Sequence, residues 1–161
     1  EPLIGNEPFA VILADDLCNT ENDNIISEMI KIYNKYQCSI IAVEEVSLDR
    51  ISNYGVIVGN QIDDLGDVFQ VTDMVEKPNQ NLAPSNLAII GRYILTPDIF
   101  NIIRDLKPDK SGEIQITDAL LLQAKNNKVI AYKFKGKRFD CGTIEGFLKA
   151  TNYFAQKLGI N

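Results

Sequence analysis

Phe9-Ala10-Val11-Ile12-Leu13-Ala14 is an unbroken apolar run that stops at two carboxylates, Asp15-Asp16. A short run without polar interruption is the pattern of a strand covered on both faces, as in the parallel sheets of α/β proteins. Next, residues 24–36 carry Ile25, Ile26, Met29, Ile30 and Tyr33 at helical spacing. Ser39-Ile40-Ile41-Ala42-Val43 is a second apolar run. Strand, helix and strand in succession predict a right-handed crossover unit. Ligands of open α/β sheets sit outside the carboxyl ends of strands, which is where Asp15 falls.

The middle of the chain is richer in strands. Tyr54-Gly55-Val56-Ile57-Val58 opens one, residues 60–66 turn the chain, and Val68 to Glu76 returns as its partner. Residues 78–84 form a polar loop, and Leu87 to Leu95 is a further strand. Thr96-Pro97 predicts a helix start, with Thr as N-cap and Pro at the first helical position. Lys110-Ser111-Gly112 reads as a loop, and Thr117-Asp118 as the start of the helix holding Leu120, Leu121 and Leu122. Val129 to Phe134 is a last strand, which leads through Gly136-Lys137-Arg138 to Phe139-Asp140-Cys141-Gly142 and a helix over about 143–158. The expectation is one α/β domain over 1–161, a Rossmann-like mixed and mainly parallel sheet flanked by helices.

Composition narrows the chemistry. The chain has 161 residues, 45% hydrophobic and 24% charged, which suffices for one core. Its net charge of -6 argues against a nucleic-acid partner, which needs a basic face. There is no His, so catalytic triads and imidazole zinc sites are excluded. Three cysteines without C-x-x-C spacing point to free thiols in a reducing, cytoplasmic compartment. No run reaches the roughly 18 apolar residues of a membrane span, so no membrane partner is expected. The opening residues, Glu1-Pro2-Leu3-Ile4-Gly5-Asn6-Glu7-Pro8, lack Met and read like a loop inside a larger protein, so the sheet is expected to be incomplete.

A carboxylate after a strand can hold magnesium, which takes one or two carboxylates plus phosphate oxygens and water. Asp15 and Asp140 both stand in that position, although turn and cap roles are the commoner use of such residues. Val75-Glu76-Lys77-Pro78 places an acid beside a base where a strand stops. Neighbours on an extended strand face opposite ways, so Glu76 and Lys77 are expected to seek separate partners. One reading is a solvated edge; the other gives Lys77 a phosphate and Glu76 hydroxyl groups, both of which a sugar phosphate offers. Gly55 lets a backbone approach a ligand, or marks a turn. Lys137 and Arg138 are either solvated or phosphate-binding. Neither G-x-x-x-x-G-K-[ST] nor G-x-G-x-x-G occurs.

Taken in order, Val11 to Asp16, Tyr54-Gly55-Val56, Val75 to Pro78, Ser85 to Tyr93, Gly112 to Asp118 and Asp140-Cys141-Gly142 resemble the sugar-1-phosphate nucleotidyltransferases, nearest to the bacterial branch that makes UDP-glucose. Each motif is weak alone; six in order along nearly the whole chain are specific. The resemblance implies an Mg2+-dependent enzyme with UTP and glucose 1-phosphate as substrates and UDP-glucose and pyrophosphate as products. It implies Asp15 and Asp140 as metal ligands, Lys77 on the sugar phosphate, and Glu76 on the sugar hydroxyls. Gly55 would make a backbone contact, with Ile89 and Tyr93 lining the sugar pocket. Family members begin with a glycine-rich loop that cradles the triphosphate and a segment that reads the base, neither of which this sequence carries. The isolated chain is therefore expected to be inactive, and its open sheet edge to favour a homo-oligomer. Two alternatives stay open: a non-catalytic sugar-phosphate-binding module, and a thymidylyl or adenylyl transferase for another sugar phosphate.

Overall fold

A computed structural model describes residues 1–20, 24–109 and 112–160; Lys110 and Ser111 of the expected loop lie outside the described residues. Its centre is β3 (Ser39–Glu45). Ile41 and Val43 point to one side of the sheet and Ile40 and Ala42 to the other, all fully buried. This is the two-faced burial that an unbroken apolar run predicts. Over one face lies α1 (Ile25–Tyr36), which buries Ile25 and Met29. Asn24 caps it, its side chain accepting from the Ile26 amide at 2.9 Å, and Gln37 ends it in the left-handed region. Over the other face lie α2 (Ile99–Asp105) and α3 (Ile116–Ala124), contributing Ile99, Ala119, Leu120 and Ala124.

The six-stranded sheet has the order β1-β6-β3-β7-β5-β4, with β1 (Phe9–Ile12), β6 (Leu87–Leu95), β7 (Val129–Lys133), β5 (Val68–Glu76) and β4 (Gly55–Gln61). The mixed, helix-flanked sheet is as expected, but the balance of pairings is not. Among the described residues only β3 and β7 are parallel neighbours; the other pairings are antiparallel. The cause is β6, which inserts between β1 and β3 and runs against both. The sheet also curls, because the β4–β5 hairpin returns to touch β6 at Val56–Ala88.

Three further expectations are corrected. First, the opening run is not covered on both faces: Phe9 and Val11 are half-buried, whereas Ala10 and Ile12 are exposed. Its only neighbour among the described residues is β6. Second, residues 16–19 and 137–140, where the sequence suggests no strand, are β2 (Asp16–Asn19) and β8 (Lys137–Asp140), which form a separate two-stranded ribbon. Third, Thr96 does not cap α2. Its hydroxyl lies in a network with Ser39 Oγ at 3.1 Å and Gln123 Nε2 at 3.1 Å, and Asp98 is the N-cap residue. That network satisfies the buried Ser39 and Gln123, a stronger demand than an exposed cap. The last helix is α4 (Ile144–Leu158), where Thr143 does cap, accepting from the Gly146 amide at 3.0 Å.

Candidate active site

The ribbon builds the first centre. Asp16 and Asp140 are direct partners across it, so they share a face. Opposed like charges repel. Arg138, two residues before Asp140 on that face, resolves the repulsion. Its Nε donates to Asp16 Oδ1 at 2.5 Å and its NH1 to Glu44 Oε1 at 2.7 Å, and its NH2 stands 4.0 Å from Asp140 Oδ2. The guanidinium lies over the Tyr54 ring, 5.0 Å from its centroid. Burial works against the charge, but Tyr54, Asp16 and Glu44 together hold Arg138 more firmly protonated than usual. Arg138 is therefore neither solvated nor available to a phosphate, with a side chain only 6% exposed. Lys137 is the surface member of the pair, lying 4.5 Å from the centroid of the Tyr153 ring.

Adjacent aspartates thus take opposite roles. Asp16 is buried, with Oδ1 on Arg138 and Oδ2 accepting from the Gly91 amide at 2.7 Å. Asp15, one residue earlier and outside the ribbon, is exposed. Its backbone carbonyl accepts from the Cys141 amide at 2.7 Å, which ties the two segments together. A methyl group on Gly142 would stand 3.0 Å from Asp15 Oδ2 and 3.2 Å from Asp140 Oδ1, so both carboxylates stand against the same glycine, whose amide also donates to Asp140 Oδ1 at 3.2 Å. Among the described residues no third acid, Cys or His completes a metal cluster. Two carboxylates with an open remainder fit magnesium, which keeps waters and phosphate oxygens in its shell.

The second centre lies at the hairpin. Glu76 ends β5 directly opposite Gly55 at the start of β4. Its Oε2 accepts from Thr117 Oγ1 at 2.5 Å. A methyl group on Gly55 would meet Glu76 Oε2 at 2.9 Å, Thr117 Oγ1 at 3.1 Å and Ile89 Cδ1 at 3.2 Å. Glycine is therefore required there, because three side chains close over its Cα. Lys77 does not face away from Glu76 as strand alternation predicts. It follows the last residue of β5, turns to a φ of +44°, and brings Nζ to 3.9 Å from Glu76 Oε1. The expectation failed because the strand stops one residue earlier than alternation requires. Tyr93 is buried near both centres. Burial first, then the charges of Asp16 and Glu76, push its phenol up to about 12.

So the structure gathers Asp15 with Asp140, and Gly55, Glu76 and Ile89 with one another. Lys77 lies beside the second group, and Tyr93 feels the charge of both centres. Two residues that the sequence reading does not place in the site complete the arrangement. Arg138, weighed as solvated or phosphate-binding, is instead buried on Asp16 and Glu44. Thr117 was read only as the start of a helix. It sits inside the first turn of α3 while Gln115 is the N-cap residue, so its hydroxyl is free to reach Glu76.

The nucleotidyl transferase family model matches residues 1–157. The chain is 60% identical over 158 residues to a UTP–glucose-1-phosphate uridylyltransferase of Pseudomonas aeruginosa, covering 98% of this chain and 56% of that protein. It superposes on the crystal structure of a UDP-glucose pyrophosphorylase complexed with UDP-glucose with a TM-score of 0.92, at 58% identity, covering 97% of this chain and 59% of the other. A UTP-bound enzyme of the same kind from Acinetobacter baumannii gives a TM-score of 0.84 at 34% identity, with 97% and 53% covered. The chain spans little more than half the length of the relatives it matches.

Proposed function

Because the chain belongs to the nucleotidyl transferase family, we propose that the protein carrying it transfers a uridylyl group from UTP to glucose 1-phosphate, releasing UDP-glucose and pyrophosphate. The observation that supports this most is that Asp15 Oδ2 and Asp140 Oδ1 both stand against Gly142, in a domain that also presents Glu76 and Lys77. A phosphate oxygen of the sugar phosphate forms a bond to the α-phosphorus of UTP, and the bond to pyrophosphate breaks. The attacking phosphate is already ionised at neutral pH, so no general base is required, which agrees with a chain that has no His. The protein's part is positioning and charge placement.

Glu76 Oε1 accepts from sugar hydroxyls, and Gly55 keeps the strand backbone close to the sugar. Ile89 and Tyr93 form the apolar wall. Lys77 Nζ balances the phosphate as a compact point charge. Asp15 and Asp140 would hold Mg2+, which supplies charge neutralisation at the phosphates. The same reading makes the 161-residue chain alone a binder without turnover, since it spans 56% of a relative. It also makes the protein a cytoplasmic homo-oligomer. Three free thiols support the compartment. The exposed Ile144, Phe147 and Leu148 on α4 support the assembly. No helix among the described residues is long and apolar enough to cross a membrane.

The test is Asp140→Asn in the full-length protein. Pyrophosphate release from UTP and glucose 1-phosphate should fall on the order of 10²–10³-fold, with glucose 1-phosphate still bound. Unchanged turnover would overturn the reading. A wild-type preference for thymidine or adenosine triphosphate would move it to another base.

A further inference from the structure

The Glu76 carboxylate has two oxygens in different circumstances. Oε2 takes the hydroxyl hydrogen of Thr117 at 2.5 Å. Oε1 has the Lys77 ammonium at a loose 3.9 Å. A threonine hydroxyl has one hydrogen to give, so Thr117 can only accept from any other group. Thr117 is 5% exposed, and its place is set by α3, whose Ala119, Leu120 and Ala124 are buried in the core. Its β-branched side chain is also stiff about χ1. The hydroxyl is not spent on helix capping, since α3 begins at Ile116 with Gln115 at the N-cap.

We infer that Thr117 is a positioning residue: by holding Glu76 Oε2 it aims Oε1 at one sugar hydroxyl, and so sets how strongly the site discriminates among hexose 1-phosphates at that hydroxyl. This rests on the function proposed above. Without the Thr117 hydrogen bond, Glu76 is free to rotate towards Lys77, whose Nζ already stands on the Oε1 side. The hydroxyl then loses a fixed acceptor, while the phosphate contacts remain.

The experiment uses the full-length protein with UTP and two sugar substrates: glucose 1-phosphate, and the monodeoxy-glucose 1-phosphate against which the wild type discriminates most. Thr117→Val keeps the shape and removes the hydroxyl. Its KM for glucose 1-phosphate should rise about tenfold, with kcat little changed and the KM for the deoxy analogue unmoved, so the preference collapses. Thr117→Ser restores the hydroxyl and should restore the preference. A merely structural residue would raise both KM values together or lower thermal stability without altering the preference, and either result overturns the inference. Loss of the preference in Thr117→Ser also overturns it, and this arm holds even where the valine variant does not fold. A wild type that turns over neither sugar phosphate with UTP defeats the function itself, a result distinct from an intact preference in Thr117→Val.

Discussion

The two carboxylate centres differ in how finished they are. At the hairpin, Glu76 is held by Thr117 and closed in by Gly55 and Ile89, with Lys77 beside it. At the ribbon, Asp15 and Asp140 stand over Gly142, and Asp140 is only loosely held, by the Gly142 amide at 3.2 Å and by Arg138 at 4.0 Å. The frame around them is complete: Asp16, Arg138, Glu44 and Tyr54 are fully engaged one residue away from an exposed Asp15. The Glu76 carboxylate is preassembled, because its hydrogen bond is made by the protein.

The largest effect should come from breaking the ribbon's frame. Arg138→Met leaves Asp16 buried and unpaired, which should cost about 3–5 kcal/mol of unfolding free energy in a urea titration. A loss below about 1 kcal/mol, the range of exposed ion pairs, would show that the frame is not what separates the centres. Next come two matched glycine substitutions, each adding one methyl group to one centre. Gly142→Ala fills the space between Asp15 and Asp140 and should weaken Mg2+ binding about 10–100-fold by titration calorimetry, with glucose 1-phosphate affinity unaltered. Gly55→Ala pushes on Glu76 and Thr117 and should weaken glucose 1-phosphate about tenfold with Mg2+ affinity unaltered. If either methyl group moves both affinities, the centres are one site and the contrast fails.

The smallest effect tests the residue they share. The Tyr93 phenol is raised from 10.0 to about 12, by burial first and then by Asp16 and Glu76. A raised folded value means stability is fully present below the unfolded pKa and is lost as pH rises through the folded one. The window is therefore pH 10 to about 12. Stability should fall less steeply there in Tyr93→Phe, as followed by tyrosinate absorbance and circular dichroism. An identical alkaline profile in the two proteins would remove Tyr93 from between the centres.

Much of this was legible in the sequence because local pattern carried it. The β6 strand, Leu87–Leu95, is legible to the residue from its apolar run, and α1 from its helical spacing. The pairing of Gly55 with Glu76 follows from a hairpin whose arms are consecutive in the chain. The ribbon was not legible. Each of its strands has four residues, too few for alternation to show, and its partner lies more than a hundred residues away. Arg138 hides for the same reason: its burial depends on Asp16 and Glu44, acids from distant parts of the chain. Lys77 departs from expectation because alternation holds only to Glu76, the last residue of β5, and the backbone then turns to a φ of +44°.

The ribbon's long closure bears on how the protein comes into being. Contacts between distant residues carry a greater loop-closure entropy and tend to form late in folding. The β4–β5 hairpin, with Gly55 opposite Glu76, closes over a short loop; Asp16 opposite Asp140 closes over most of the chain. A refolding chain should therefore acquire its Glu76–Thr117 end before its Asp15–Asp140 end. Pulse-labelled amide exchange would show this as early protection of β4 and β5 and late protection of β2 and β8. On this order, a half-made molecule would carry the proposed sugar-recognising hairpin before the two aspartates of the ribbon have met.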